Sequence, residues 1–165
     1  MHLQGRIYRA LNPTYAHEPF SGRGAALYGG RFNPKGLPAL YTSLTIMTAI
    51  REANQVGSLQ PTMMISYDAD FDNIFDTRDE DALDHLGMDA TSLANSGWRD
   101  QMRKQGKALT QTFAERLIQR GHQGLLVRSF AHGASGTDLN LVLWTWGSSR
   151  PARLRLIDDE GRLTS

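Results

Sequence analysis

The feature that most constrains the fold is the stretch from Asn12 to Pro38, which contains five glycines and four prolines. Proline lacks a backbone N–H and glycine is costly inside regular structure, so a long helix or central strand is excluded here. The stretch predicts a long ordered loop or short strands joined by tight turns. Because long loops inside compact domains usually carry function, we expect a site in or beside it.

The residues before this stretch predict a half-buried β-strand from Leu3 to Leu11. Apolar residues recur on one of its faces, and polar residues such as Arg6 lie on the other. Arg9 shares the apolar face, where an unpaired charge is costly. Arg9 therefore needs an anionic partner, supplied by the protein or by a ligand.

The residues after the stretch predict an α-helix from about Leu44 to Val56, with Ser43 as its N-cap. Its predicted buried stripe consists of four apolar residues, Ile46, Ala49, Ile50 and Ala53. On the helical wheel Arg51 points away from this stripe, whereas Glu52 lies on its flank. Glu52 is thus the carboxylate of this helix that can reach over a neighbouring element.

The rest of the chain predicts a single α+β domain over residues 1–165. Apolar or alternating runs predict strands at 63–67, 124–127, 139–144 and 153–157. Apolar residues at helical spacing predict a helix over 109–119 that ends before Gly121. The polar and initially acidic segment 68–107 predicts a covering subregion of short helices and loops.

Composition excludes several classes of function. The formal net charge is only +1, which leaves no large unbalanced field to hold a nucleic-acid backbone. The absence of cysteine excludes disulfides, thiolate zinc sites and cysteine nucleophiles. The N-terminal residues lack the apolar region of a signal peptide, and no segment approaches the roughly 18 apolar residues that span a bilayer. We therefore expect a cytoplasmic protein that binds neither nucleic acid nor membranes.

Familiar metal and nucleotide motifs do not occur in the sequence. The five histidines have no metalloprotease spacing, so we expect no metal cofactor. The segment 68–72 is similar to the start of a calcium loop but lacks the loop's turn glycine and terminal glutamate, which favours a solvated acidic surface. Gly22 and Gly24 begin a dinucleotide fingerprint whose third glycine is missing.

The most informative segment begins at Gly29 and Gly30, which permit tight turns just before Arg31. The planar fork of donors on a guanidinium suits phosphate oxygens. Arg31 is therefore a candidate clamp for a pyrophosphate. The alternative is a loop arginine held in a surface ion pair.

This segment resembles the pattern that opens the RES domain. Gly-Arg-Phe-Asn-Pro-Lys-Gly at 30–36 is followed by Pro-Ala-Leu-Tyr-Thr-Ser at 38–43 and by a helix bearing Ala-Ile-Arg-Glu at 49–52. Further similarity lies in Ile-Tyr-Arg at 7–9, Gly-Trp-Arg at 97–99, Leu-Leu-Val-Arg-Ser at 125–129 and Asp-Leu-Asn-Leu at 138–141. The resemblance spans about residues 5–145. One departure is Arg128, which stands where the family often has a proline.

The resemblance implies an NAD-consuming toxin of a toxin–antitoxin system, with NAD as consumed substrate and no metal. The implied fold is a mixed, mainly antiparallel β core flanked by helices, similar to that of ADP-ribosylating toxins. Arg31, Glu52 and Ser129 match the trio that defines the family and would be catalytic. Arg9 and Tyr41 would join Arg31 and Ser129 in binding NAD. A cognate antitoxin would block the cleft.

These residue types suit cleavage of the bond between nicotinamide and ribose. The departing nicotinamide leaves positive charge at ribose C1′, which a carboxylate at position 52 would stabilise. Tyr41 would stack on nicotinamide or donate its hydroxyl, although a core tyrosine is the alternative. Ser129 has no histidine and acid arranged around it, so we expect it to hydrogen-bond ribose or nicotinamide rather than act as a nucleophile.

The sequence leaves the acceptor of ADP-ribose open. A protein side chain, inorganic phosphate and water are all compatible, and we favour mono-ADP-ribosylation of a host protein over an NAD phosphorylase or glycohydrolase that depletes NAD. A function of another class is a non-catalytic module that binds a nucleotide or a partner. A nucleic-acid-binding regulator is disfavoured by the near-neutral charge.

Overall fold

A mixed β-sheet forms the frame of the protein in the computed structural model, which describes residues 1–55 and 57–163. Its strands are β1 (Leu3–Leu11), β2 (Leu40–Ser43), β3 (Met63–Phe71), β4 (Ile74–Asp76), β5 (Gly124–Arg128), β6 (Leu139–Leu143) and β7 (Ala152–Leu156). They lie in the order β4-β5-β6-β2-β1-β3-β7. Only the β4–β5 pair among these described strands is parallel, which confirms the expected α+β class with a mainly antiparallel core.

Six short helices surround the sheet within the described residues. They are α1 (Arg23–Tyr28), α2 (Ile46–Ala53), α3 (Glu80–His85), α4 (Ala90–Leu93), α5 (Trp98–Gln105) and α6 (Leu109–Gln119). The glycine- and proline-rich stretch is an ordered loop interrupted by a 3-10 turn at Pro13–Tyr15 and by α1. No helix in the described part of the chain has the length and apolar character that a bilayer crossing needs.

The predicted strand at the N-terminus is confirmed with the same bounds. β1 pairs with β3 along its whole length, from Leu3 opposite Phe71 to Leu11 opposite Met63. Ile7 is fully buried in the core on one side of the sheet, as its place on the apolar face requires. This long antiparallel pair is the most extensive contact between two elements of the fold.

The covering subregion begins later than the predicted residue 68. Residues 68–71 continue β3, because Ala69 and Phe71 remain buried while Asp68 and Asp70 alternate onto the other face. There the two acids lie opposite Arg155 and Arg153 of β7 and form ion pairs with them. The acidic composition suggested a loop, but cross-strand charge pairing makes it compatible with a strand.

Helix α2 is shorter than predicted, and it is rotated so that a different face is buried. Its N-cap is Thr45, whose hydroxyl accepts from the Thr48 N–H at 3.1 Å, whereas Ser43 is the last residue of β2. Of the predicted buried stripe, Ala49 is confirmed as buried, whereas Ile46 is 48% exposed and Ala53 is also exposed. Thr48, which was not predicted, is the other buried residue of the helix. The predicted end at Val56 lies outside the described residues. The rotation turns Glu52, one turn beyond Thr48, toward the sheet.

A second core covers the other side of the central strands, where helices pack on β5 and β6. Phe113 and Leu117 of α6 contact it, together with the buried side chains of α3 and α4. Antiparallel register places Val127 opposite Asn140, and Asn140 opposite Ser43. Residues directly opposite one another point to the same side of a sheet, so these three form one row across the central strands.

Candidate active site

A cavity of about 470 Å³ opens where the glycine- and proline-rich loop, α2 and the central strands meet. Arg31, Glu52, Tyr41 and Arg9 all line it, although they come from four different parts of the chain. A guanidinium at 31 and a carboxylate at 52 therefore share one cavity, as the proposed chemistry requires. Ser129 is buried, and its hydroxyl donates to Glu52, which lines the cavity.

The guanidinium of Arg31 is held by backbone carbonyls and an aromatic ring. Nη1 donates to the oxygens of Leu93 and Asn95, at 3.0 and 2.7 Å. The guanidinium carbon lies 4.6 Å from the centroid of the Phe130 ring. Burial lowers the pKa of Arg31 below its ordinary value, and the nearby Arg99 lowers it further. Arg31 is thus fixed in place by groups that leave its positive charge unneutralised, unlike an arginine in a surface ion pair.

The loop that carries Arg31 is anchored by buried amides. Asn33 is fully buried and donates to the carbonyls of Ala25 and Leu37, both at 2.9 Å. Gln111 of α6, also fully buried, donates to the carbonyls of Gly30 and Asn33 at 2.9 and 3.1 Å. These bonds satisfy backbone groups of an irregular segment and fix its path.

Tyr41 supports the same loop with its hydroxyl. The hydroxyl donates to Oδ1 of Asn33 at 2.6 Å and accepts from the Phe32 N–H at 3.0 Å. Burial raises the pKa of Tyr41, so the group stays protonated at neutral pH. The hydroxyl is therefore engaged within the protein, and the side chain lines the cavity through its ring.

Glu52 is oriented by donors from three places in the chain. The Nδ2 group of Asn140 on β6 donates to Oε1 at 2.6 Å, and the hydroxyl of Ser129 donates to the same oxygen. The amide of Gln55, one turn further along, donates to Oε2. Ser129 thus contacts the carboxylate rather than presenting its hydroxyl to the cavity. Two donors on one oxygen fix the direction of the carboxylate.

The hydrogen-bond acceptors of Arg9 are backbone carbonyls. Its guanidinium donates to the carbonyls of Pro19 and Ser21, at 3.2 and 3.3 Å. These carbonyls carry no full negative charge, so the charge of Arg9 remains available to an anion in the cavity that it lines. The sequence predicted an anionic partner from the protein or from a ligand, and within the protein the structure supplies the partial charges of these loop carbonyls.

Comparison with known proteins identifies the family of the chain. A family model described as the RES domain matches residues 6–165, which is nearly the whole chain. The chain belongs to the RES domain family. A curated protein of Photorhabdus laumondii subsp. laumondii, described as "Toxin Res", is 39% identical to it over 46 residues. That alignment covers 28% of this chain and 30% of the relative. The resemblance noted in the sequence is confirmed at the level of the family.

Two further arginines of this RES domain line the cavity and were not among the predicted site residues. Arg99 stacks on the ring of Trp98 at 4.5 Å, and Arg128 is exposed at the end of β5. The motif Gly-Trp-Arg at 97–99 was the signal for Arg99, whereas Arg128 appeared only as a departure from the family pattern. With Arg9 and Arg31 they bring four cations to a cavity lined by one carboxylate, Glu52.

The RES domain also places a histidine and two acids together away from this cavity. Ligand atoms of His2, Asp70 and Asp72 lie within 4.8 Å of one another. Asp72 accepts from Arg150 at 2.6 Å, and Arg153 lies 3.7 Å from Asp70. Guanidinium groups so close to both carboxylates compete with a cation for the same oxygens. The cluster is a charge network on β3 and β7 and the residues next to the ends of these strands and of β1.

Proposed function

We propose that the chain is the toxin of a toxin–antitoxin system, which cleaves the bond between nicotinamide and ribose in NAD and passes ADP-ribose to an acceptor. The observation that carries the proposal is the cavity in which Arg31 and Glu52 meet. It offers positive charge for a diphosphate and the Glu52 carboxylate for the reacting sugar. Its volume of about 470 Å³ is in the range of small-molecule sites.

Arg31 binds the diphosphate of NAD in this proposal. Its guanidinium is already immobilised by two carbonyls and the Phe130 ring, so little side-chain entropy is lost on binding. Arg9 and Arg99 add positive charge to the same cavity. Anchoring the diphosphate at these groups places the nicotinamide ribose toward Glu52, which supplies the orientation that catalysis needs.

Glu52 stabilises the transition state. As the C1′–N bond breaks, its electron pair goes to the pyridinium nitrogen and neutral nicotinamide leaves, so positive charge develops on the ribose. The carboxylate interacts with that charge, directly or through a ribose hydroxyl, more strongly in the transition state than in the ground state. The nucleophilic atom of the acceptor then bonds to C1′ and loses its proton.

Ser129 acts through Glu52 in this scheme. Its hydroxyl donates to Oε1 and accepts from the Ala131 N–H at 3.2 Å. A hydroxyl engaged with a carboxylate in this way orients that carboxylate and makes no attack on the sugar. We therefore assign Ser129 a positioning role, in place of the expected direct contact with ribose or nicotinamide.

A cognate antitoxin is the proposed protein partner. The relative described as "Toxin Res" is a toxin by its name, and this chain shares the RES domain with that class of protein. An enzyme that consumes NAD without restraint would harm the cell that makes it. The antitoxin therefore covers the mouth of the cavity and keeps NAD from reaching Arg31 and Glu52.

The acceptor is proposed to be a side chain of a host protein, with phosphate and water as alternatives. The test is incubation of the purified protein with NAD labelled in its adenine ring, in the presence of cell extract, phosphate or neither. Mass spectrometry then identifies nicotinamide, modified proteins, phosphorylated ADP-ribose or free ADP-ribose. Label on a protein supports the preferred acceptor, whereas a phosphate-dependent rate indicates a phosphorylase.

Glu52→Gln is the matched variant for this test, because it keeps size and shape and removes the charge. We expect nicotinamide release to fall by about 100-fold or more, in line with loss of a preorganised electrostatic group. Absence of nicotinamide release by the wild type with every acceptor would leave the binding module as the function. In that case calorimetry with NAD tests whether the cavity binds a nucleotide at all.

A further inference from the structure

We propose that Ser43 and Asn140 form a positioning relay that fixes the carboxylate of Glu52 for the reaction. The inference rests on the proposed function, because it concerns how the same carboxylate is held. The hydroxyl of Ser43 donates to Oδ1 of Asn140 at 2.7 Å, and Nδ2 of Asn140 donates to Oε1 of Glu52 at 2.6 Å. Ser43 has no role in the site described above, and Asn140 is named there only as one of the donors to Glu52.

The sheet itself brings the relay together. Ser43 on β2 lies directly opposite Asn140 on β6, and both side chains point to the side on which α2 packs its Glu52. Ser43 is 2% exposed, so water has little access to its hydroxyl. The position of Asn140 is therefore set by two paired strands, which are more rigid than a loop.

The hydroxyl of Ser43 also fixes which way the Asn140 amide faces. A side-chain amide has one acceptor oxygen and one donor NH2 group, and its two orientations differ only by a flip. Ser43 donates to Oδ1 and Glu52 accepts from Nδ2, so both contacts favour the same orientation of the amide. The flipped amide would present its oxygen to the carboxylate, where two acceptors repel each other, and without the hydroxyl of Ser43 the amide loses one of these two contacts.

The relay determines which carboxylate oxygen meets the substrate. Asn140 and Ser129 both donate to Oε1, so that oxygen is saturated by the protein. Oε2 is the oxygen that remains for a ribose hydroxyl or for the charge at C1′. In the structure it accepts from the amide of Gln55, an exposed side chain that can leave when a substrate enters.

Three variants test the relay through the kinetics of nicotinamide release. Asn140→Ala removes the donor, Ser43→Ala removes the constraint on the amide, and Asn140→Asp keeps the size but opposes one carboxylate with another. We expect kcat to fall about 10- to 100-fold in both Asn140 variants, as for a reacting group misplaced by a fraction of an ångström, with KM for NAD changed much less. Ser43→Ala should give a smaller loss of about 3- to 10-fold.

The order of the Asn140 variants separates positioning from packing. If Asn140 only fills space, Asn140→Asp should lower kcat less than Asn140→Ala does. If Asn140 is part of the relay, Asn140→Asp should lower kcat at least as much as Asn140→Ala. Ser58→Ala, at an exposed loop serine, is the control and should match the wild type. If the wild type releases nicotinamide and both Asn140 variants keep kcat within twofold, the relay is overturned and the proposed function stands.

Nuclear magnetic resonance tests whether the hydrogen bonds of the relay exist, even if the wild type releases no nicotinamide. The side-chain amide signal of Asn140 is identified by its loss in Asn140→Ala. We expect its protons to exchange with water more slowly than those of exposed asparagines, and this protection to be lost in Ser43→Ala and reduced in Glu52→Gln. An Asn140 amide that exchanges equally fast in all three proteins would overturn the relay independently of any activity.

Discussion

Arg31 rests on the ring of Phe130, with 4.6 Å between the guanidinium carbon and the ring centroid. Phe130 directly follows Ser129, whose hydroxyl donates to Glu52. One short segment after β5 therefore supports both the cation and the carboxylate of the proposed active site. A displacement of this segment would change the two functional groups together.

Phe130→Leu should weaken NAD binding while leaving the chemistry largely intact. A cation over an aromatic ring at a partly exposed site contributes about 0.5–1 kcal/mol, so KM for NAD should rise about 2- to 5-fold. Steady-state kinetics of nicotinamide release measures this, and Tyr15→Leu, at an exposed aromatic away from the cavity lining, is the control. A change in kcat without a change in KM would contradict the role given to the ring.

Gly30→Ala should destabilise the loop that carries Arg31. A Cβ at this position would lie 2.3 Å from the hydroxyl oxygen of Tyr41 and 2.5 Å from Oδ1 of Asn33, both of which are held by hydrogen bonds. Overpacking of this kind costs about 1–3 kcal/mol. Thermal unfolding should show a lower Tm, and NAD binding should weaken because Arg31 is the next residue.

Gly24→Ala is the matched control for that substitution. A Cβ there meets no atom within 4 Å, and Gly24 lies inside α1, where alanine is favoured over glycine by about 0.5–1 kcal/mol. We expect unchanged or slightly higher stability. Equal Tm values for the two variants would show that the close contact at Gly30 is relieved at no cost.

Gln111→Met should destabilise the protein although it keeps the volume of the side chain. It removes the donor to the carbonyls of Gly30 and Asn33 and the acceptor for the Ala108 N–H. A buried polar group left without a partner costs about 1–3 kcal/mol, so the free energy of unfolding in urea should fall by at least that much. Gln119→Met, at an exposed position on the same helix, should have little effect. Similar losses in both variants would rule out the anchoring role of Gln111.

Asp138 should make a contribution to stability that disappears in acid. The Ser135 N–H, the Thr48 hydroxyl and Arg51 hold the pKa of Asp138 below its ordinary 3.8. A carboxyl whose pKa is lower in the folded state stabilises the fold fully above the ordinary value, and the contribution is lost as the pH falls through the lowered one. Asp138→Asn should therefore be less stable than the wild type at pH 7.

The pH dependence of that difference is the decisive measurement. Urea unfolding at pH 7 and near pH 3 should show the two proteins converging in acid, because the wild-type carboxyl then becomes protonated. Asp79→Asn, at the exposed N-cap of α3, controls for the general effect of removing a charge. A difference that stays constant from pH 7 to pH 3 would show that the ionised form of Asp138 makes no special contribution.

Local patterns predicted the elements whose burial follows from their own sequence. β1 has the predicted bounds because Leu3, Ile7 and Leu11 face a core, and α6 has the predicted bounds because its apolar residues recur at helical spacing. The pattern failed for α2, where Thr48 is buried and Ile46 is exposed. The partner of Thr48 is Asp138, and a contact between residues 90 positions apart is invisible to local periodicity.

For the candidate site, the sequence predicted which residues line the cavity better than it predicted their hydrogen bonds. The resemblance drew attention to Arg31, Glu52 and Tyr41, and the structure brings them to one cavity. What these groups contact depends on strand register and loop path. The hydroxyl of Tyr41 bonds Asn33, and the hydroxyl of Ser129 bonds Glu52, so both hydroxyls are engaged within the protein. Strand register and loop path depend on contacts across the whole sheet, so a local sequence pattern does not predict them.

The donors that orient Glu52 also determine when a newly made chain becomes competent. Ser129 and Asn140 follow Glu52 by 77 and 88 positions. A nascent polypeptide that has left the ribosome only through α6 carries the acid without either donor and without the central strand β6. The proposed catalytic centre therefore forms only after β6 has been synthesised. An inhibitor that recognises the folded cleft has no binding site until β6 is in place. It must already be present at that point to keep the enzyme inactive.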